Sequence, residues 1–405
     1  MKIAFMVGRF PSLSETFILD QITGLIDLGH DVEIFAQEGN FEGKIHPDIL
    51  NYKLKNRTHF FITSPQKFNR VLKATSLVIE NFHKSPLKIL KSLNIFRFGK
   101  KALSLSLLNA LIYFLDGDFD IIYCHFGPIG NFGACLKQIG IKGRLVTAFH
   151  GADMRMEIKK GEKSYHTLFS IGDIFLVTSK YGSKNLIQFG ADPKKIIFHP
   201  VGVDIRKFSR QLSSFDKENG SKIKIITVAR LVEEKGLEHG IRAIKKIVSN
   251  NPKINLEYII IGEGPLEHSL KKLVDDLNLS KTIHFLGSMT QEKVILQMRK
   301  AHVFLLPSVS ESFGAVLLEA QAMSIPIVTT NIGGVPEAIS DQKTGFLVPI
   351  ENIKAMVLKI ESLIKDKKLR LEMGKYGRKY VVRHYNIQDL NDRLNSVFKK
   401  LILGN

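Results

Sequence analysis

Residues 303–337 read VFLLPSVSESFGAVLLEAQAMSIPIVTTNIGGVPE. The apolar run Val303–Leu306 stops at Pro307 in a turn of Ser, Glu and Gly. Val316, Leu317 and Ala320 then recur at helical spacing, and after Pro326 a second apolar run opens at Ile327. Strand, helix, strand makes a βαβ unit, and a crossover helix obliges the two strands to lie parallel. Strands of such sheets are covered on both faces and read as unbroken Val/Ile/Leu runs, as these do.

The same alternation extends in both directions. Toward the carboxyl end it predicts strands at Ile223–Ala229, Leu256–Ile261, Ile283–Leu286, Val303–Leu306, Ile327–Thr329 and Phe346–Val348. Toward the amino end it predicts them at Ile3–Val7, Val32–Ala36, Ile121–His125, Leu145–His150, Phe175–Thr178 and Ile196–Pro200. Between the two series RKFSRQLSSFDKENGS, residues 206–221, is polar and aperiodic. A chain of 405 residues is too long for one core. The expected architecture is α/β: two Rossmann-like, doubly wound parallel-sheet domains, residues 1–205 and 222–385, joined by a linker at 206–221. The carboxyl edges of their sheets face each other across a cleft. The helix at 386–405 is expected to return onto the first domain.

Two cysteines, Cys124 and Cys135, cannot make a disulfide framework, and no run reaches the roughly 18 apolar residues of a membrane span. A cytoplasmic location is expected. The net charge of +19 is concentrated. Residues 51–115 carry twelve Lys or Arg against one acid, Glu80, a net of +11 in about one sixth of the chain. Leu72, Ile79, Leu87, Leu90, Ile95 and Phe96 interleave with the cations, a composition that favours an anionic membrane, at the inner leaflet, over nucleic acid. The uncharged stretch 102–115 fits either an interfacial helix or a core helix.

Arg230 ends the first strand of the second series, and Lys235 follows after an acidic turn. A guanidinium and an ammonium at the carboxyl end of a parallel strand suit a diphosphate, although Lys235 could instead pair with Glu233 or Glu234. Phe313–Gly314 precede a helix whose free N–H groups attract phosphate, and Gly333–Gly334 permit another close approach. Glu311 and Glu319 flank that helix start. Carboxylates are poor neighbours for phosphate but good acceptors for sugar hydroxyls.

Glu311 and Glu319 in SESFG…EA…SIPIVT…GGVPE, with Arg230 and Lys235–Gly236 upstream, resemble the retaining GT-B glycosyltransferases of family 4. Ser324 departs from the glycine usual in that pattern. The resemblance implies that Arg230 and Lys235 hold the donor diphosphate and that Glu311 touches the donor sugar. Glu319 would bind the ribose, and Ser312, Phe313, Gly314 and Ala315 would form the helix-start contact. Gly287 and Ser288 resemble the turn that meets the base through backbone. In RLVTAFHGAD, His150 resembles the family histidine near the donor sugar; His125 also ends a strand but reads more readily as structural.

The turn FPSLSETF at residues 10–17 resembles a subgroup that builds bacterial exopolysaccharide, of the colanic acid type, and lipopolysaccharide. It implies acceptor-side contacts from Ser14, Glu15 and Thr16. From spacing alone, Ser12 and Glu15 match a capping box. Asp116, Asp118 and Asp120 mimic a metal-binding D-x-D but precede a strand, on the edge away from the cleft, so no metal and no cofactor are expected. The implied activity is transfer of a hexose from a UDP- or GDP-sugar to a lipid-linked glycan, with retention. The alternatives are a nucleotide-sugar 2-epimerase of the same architecture and a non-catalytic sugar- or nucleic-acid-binding protein.

Overall fold

The computed structural model describes all residues except 13–14, 43–44, 62–66, 152, 155–163, 211–221 and 405. Its strands are β1 (Lys2–Arg9), β2 (Asp31–Glu38), β3 (Thr58–Phe60), β4 (Ile121–His125), β5 (Arg144–Phe149), β6 (Ile174–Val177) and β7 (Ile196–Phe198) in one sheet. The other holds β8 (Ile223–Val228), β9 (Leu256–Ile261), β10 (Ile283–Phe285), β11 (Val303–Leu306), β12 (Ile327–Thr330) and β13 (Gly345–Val348). The orders are β3-β2-β1-β4-β5-β6-β7 and β10-β9-β8-β11-β12-β13, every pairing parallel. The alternation read from the sequence is therefore the observed architecture. The chain divides into two compact units, Met1–His199 with Asn391–Asn405, and Pro200–Leu390.

Each sheet is buried on both faces, as parallel pairing requires. In the first unit Phe5, Val7 and Ile22 pack on one face and Ala4, Met6 and Phe35 on the other. The helix Ile387–Leu403 adds Leu394 and Phe398 to the first of these, with the Phe398 ring edge-on to that of Tyr123, centroids 5.3 Å apart. The uncharged stretch resolves into the core helix Ser106–Leu115: Leu107, Leu108, Ala110 and Leu111 have no exposure. Each leucine so buried stabilises by about 1.5–3 kcal/mol, so this helix serves the core and not an interface.

Two expectations change. β3 is an edge strand of three half-buried residues, Thr58–Phe60, too short to show a pattern. The first part of the expected linker is packed, not free. Phe208 is buried, Asp204 Oδ1 accepts from the Arg206 N–H at 2.9 Å, and Arg210 donates to the Ala301 carbonyl at 2.8 Å. Residues 200–210 thus belong to the second unit, and 211–221 lie outside the described residues.

Candidate active site

In the second unit β8 and β11 are neighbours whose chains continue to opposite sides of the sheet, and the crevice beyond their carboxyl ends is where such folds bind ligands. Arg230 stands just past β8, exposed, its side chain making no ion pair among the described residues. Its backbone is held firmly: the Ala229 N–H donates to Ile261 O at 3.0 Å and the Leu231 N–H to Glu263 O at 2.9 Å. Gly262, at φ +140°, lets the next loop close in; a Cβ there would lie 1.9 Å from the Ala229 carbonyl oxygen.

Lys235 does not pair with Glu233 or Glu234. Its Nζ donates to Glu311 Oε2, both side chains largely buried, while Glu311 Oε1 accepts from the Ser312 N–H at 3.2 Å. The turn carrying Lys235 and the loop carrying Glu311 are stapled together. The N–H groups of Val309 and Ser310 donate to Glu234 O at 2.9 and 3.1 Å. Gly236, at φ +56°, sits so close that a Cβ would meet the Pro307 carbonyl oxygen at 2.3 Å.

Beyond that loop Gly314, at φ +81°, is the N-cap of the helix Ala315–Ala322, and no side chain caps it. Glu319 lies one turn along, on the same half-buried face as Ala315. The Phe313 ring is buried 5.7 Å from that of Tyr385, so Phe313 offers a ligand only its backbone. Ser312 is likewise buried. Gly287, at φ +68°, and exposed Ser288 follow β10, and Gly287 O accepts from the Gly262 N–H at 3.0 Å. Arg230, the Lys235–Glu311 pair and the Gly314 helix start thus lie past the carboxyl ends of the adjacent strands β8 and β11, with Gly287 and Ser288 farther along the same edge.

The corresponding edge of the first unit is of another kind. His125 ends β4 and His150 follows β5, and their rings meet coplanar, His125 Nδ1 to His150 Nε2 at 2.9 Å. Phe5 stacks on His125 at 4.7 Å, and Phe17 and Phe126 each lie 4.8 Å from His150. Burial, then the nearby His199, holds His150 down to about 3; burial first also lowers His125 well below the usual histidine range. His199, itself lowered to about 4 by burial and then by Arg393, approaches Gln21, which accepts from the Tyr123 hydroxyl at 3.1 Å.

Fully buried Asp153 organises the backbone here. It accepts from the N–H groups of Gly127 at 3.0 Å, Gly151 at 2.7 Å, Met154 at 3.0 Å and His150 at 3.2 Å. One carboxylate thereby ties the turn after β4 to the turn after β5. Burial raises its pKa and the backbone donors oppose the shift.

The capping-box expectation is overturned. The helix Thr16–Asp27 starts four residues past Ser12, its N-cap is Glu15, and no side chain makes a cap hydrogen bond. Glu15 instead lines a cavity of about 290 Å³ with Gly8, Arg9, Gln37, Glu38 and Phe126. Thr16 opens the helix, and Ser14 lies outside the described residues. The aspartates of residues 116–120 are held by the structure: Asp116 pairs with Lys84, Asp118 with Lys142 at 3.5 Å, and Asp120 accepts from the Lys2 N–H at 2.7 Å. Among the described residues no group of three or more His, Cys, Asp or Glu could hold a metal ion, and no helix is long and apolar enough to cross a membrane.

Comparison with known proteins accounts for both units. The family model described as Glycosyltransferase Family 4 matches residues 14–207, and that for Glycosyl transferases group 1 matches 209–380. WcaL of Salmonella typhimurium, named for colanic acid biosynthesis, is 31% identical over 99% of this chain and 100% of its own. The chain belongs to the family 4 glycosyltransferases. A second relative of this transferase is the amylovoran biosynthesis glycosyltransferase AmsK of Erwinia amylovora, 32% identical over 88% of this chain and 89% of its own. Anabaena HepE, solved with UDP and glucose, shares the fold at TM-score 0.73 and 17% identity, covering 98% of this chain and 99% of its own. The sucrose-phosphate synthase of Thermosynechococcus elongatus does so at 0.76 and 17%, both chains covered in full. The fold is GT-B.

Proposed function

We propose that the transferase moves a hexose from a UDP- or GDP-sugar to a lipid-linked glycan, in the building of bacterial exopolysaccharide, capsule or lipopolysaccharide. Transfer proceeds with retention, without a metal, at the inner face of the cell membrane. The observation that carries this reading is the Lys235–Glu311 pair beside Arg230 and the uncapped helix start at Gly314. HepE, solved with UDP and glucose, supports the donor class, and the names of WcaL and AmsK support an extracellular polysaccharide as product.

The chemistry follows from charge. When the bond between the sugar C1 and the phosphate oxygen breaks, negative charge grows on the leaving diphosphate. Arg230, Lys235 and the N–H groups of the Ala315–Ala322 helix are preorganised to meet it. Formally Arg230 and Lys235 are balanced by Glu311 and Glu319, so the site is not an anion trap before the donor arrives. The diphosphate must share Lys235 with Glu311, and Glu311 is left to receive a sugar hydroxyl. With both its oxygens engaged, Glu311 is a poor candidate for attack on C1. The acceptor hydroxyl therefore adds on the face from which the diphosphate leaves, and its proton passes to the departing phosphate oxygen. His150, neutral, is assigned a hydroxyl of the donor sugar, Glu319 the ribose, and Gly287 and Ser288 the base. Glu15 and Thr16 are assigned the acceptor.

The test is a panel of UDP-, GDP- and ADP-sugars, with and without membrane extract and EDTA, following nucleotide release and the anomeric configuration of the product by NMR. Acceptor-dependent, EDTA-insensitive release with a retained configuration is expected. Donor conversion without an acceptor would identify an epimerase, and no turnover a binding protein.

A further inference from the structure

The first unit wears an apolar surface that its own fold does not use. Among the described residues 21 large apolar side chains are exposed, and ten of them fall between residues 68 and 103. A segment so short holding nearly half of them is a patch, not scatter.

The helix Lys67–Asn81 is apolar on two faces. Ala74, Leu77 and Val78 turn inward to the core that also holds the Ser106–Leu115 helix. Phe68, Val71, Leu72 and Ile79 recur at helical spacing on the other side and are all more than half exposed. An ordinary outer helix is polar on that side. The short helices Pro86–Ser92, Ile95–Phe98 and Lys100–Leu103 repeat the arrangement. Ile89, Phe98 and Ala102 are buried, while Leu87 is 73% exposed, Leu103 66% and Phe96 104%. Each inward side chain anchors a helix whose opposite side presents an unused hydrophobe.

Cations flank these side chains. Lys73, Lys91 and Lys100 are exposed and in no ion pair among the described residues. Residues 51–115 carry twelve cations and one acid. That balance decides the occupant. Within the patch itself, residues 67–103 carry nine Lys or Arg against Glu80, so a symmetric contact with a second copy would set +8 against +8, which is repulsive. An anionic lipid surface answers both properties, its headgroups meeting the lysines and its acyl boundary the apolar tips.

We infer that the outer side of the 67–103 helices inserts into one leaflet of an anionic bilayer, with Phe96, Leu87 and Leu103 among the inserted tips. The inference rests on the membrane reading above and sharpens it, because attachment becomes apolar as well as electrostatic.

The chain contains no tryptophan, so Phe96→Trp makes a single clean reporter in the full-length protein. It is mixed with vesicles of phosphatidylcholine alone and of phosphatidylcholine with an equal part of phosphatidylglycerol. Expected are a blue shift and quenching by brominated acyl chains with the anionic vesicles only, and binding that persists in part at about 0.5 M salt, where Coulomb attraction is screened. Phe96→Ser, exposed and so neutral for folding, lowers partitioning about tenfold. Full release by salt, with unshifted emission, overturns insertion while leaving surface attachment intact. No binding to either vesicle overturns the membrane reading itself. A blue shift without lipid that tracks dimer formation, or lipid binding abolished by an oligonucleotide, assigns the surface to another occupant and overturns the inference.

Discussion

The two carboxyl edges have the same topology and opposite electrostatics. Past β8 and β11, Arg230 is open to solvent and Lys235 faces Glu311 as an ion pair. Past β4 and β5, His125 is fully buried and His150 partly so, both packed against aromatic rings, and burial keeps the two neutral. A partly exposed ion pair can exchange partners with a charged ligand, whereas a cluster whose histidines burial keeps neutral resists taking up charge. Of the groups compared, those past β8 and β11 are the ones that carry the cations a diphosphate would meet. The first unit's edge offers shape, aromatic surface and neutral hydrogen-bonding groups, which suit sugar hydroxyls.

The comparison is most exposed at Arg230 and Lys235. Arg230→Ala and Lys235→Ala should each lower kcat by about 10²–10³-fold, the cost of removing one preorganised donor, with the fold intact by circular dichroism. Near-normal turnover in either would break the assignment of charge to this edge.

A smaller effect, on stability, tests the other edge. Asp153→Ala leaves the buried N–H groups of Gly127, Gly151 and Met154 without an acceptor. Orphaned donors cost about 1–3 kcal/mol each, offset in part by removing a buried carboxyl. A net loss of about 3 kcal/mol is expected in denaturant unfolding, and Asp153→Asn, which still accepts, should recover part of it. A loss below about 1 kcal/mol would mean that the two turns hold themselves.

The smallest effect is a pH slope. His150 titrates near 3 and His199 near 4 when folded, against 6.5 for a free histidine. Below 6.5 the unfolded chain binds protons that the folded unit refuses, so stability is complete above 6.5 and falls as pH drops toward 4. Each such histidine contributes up to about 1.4 kcal/mol per pH unit in that window. His302 in the second unit behaves alike, lowered to about 4 mainly by burial. The informative measurement is thus the difference between the native chain and His199→Gln, whose slope should be shallower by one histidine. Equal slopes would show that His199 charges in the folded state.

How much of this was legible in the sequence depends on the range of the interaction. The strands announce themselves as apolar runs, because a buried parallel strand has no polar face to interrupt the run. Arg230, Lys235 and Glu311 were legible as types at strand ends, but not their pairing: Lys235 has two nearer carboxylates, and only the stapling of its turn to the β11 loop selects Glu311. The His125–His150 contact joins residues from strands adjacent in space, and strand order is not written in a local pattern. Asp153 escaped for the same reason. Ser12 and Glu15 misled because a capping box requires the serine itself to be the N-cap, a position that Glu15 holds. In the basic segment the composition pointed to lipid, while the uncharged stretch that looked most membrane-like is the buried Ser106–Leu115 helix.

The close approach of Gly236 to the Pro307 carbonyl has a consequence for how this enzyme could diversify. With Val309 and Ser310 also tethered to Glu234, the strip bearing the ammonium and the strip bearing its carboxylate form a single mechanical piece. Neither can be re-aimed alone without a backbone collision. On the proposed assignment, new donor preferences would have to be acquired at solvent-facing positions such as Ser288, with the stapled pair left as it is.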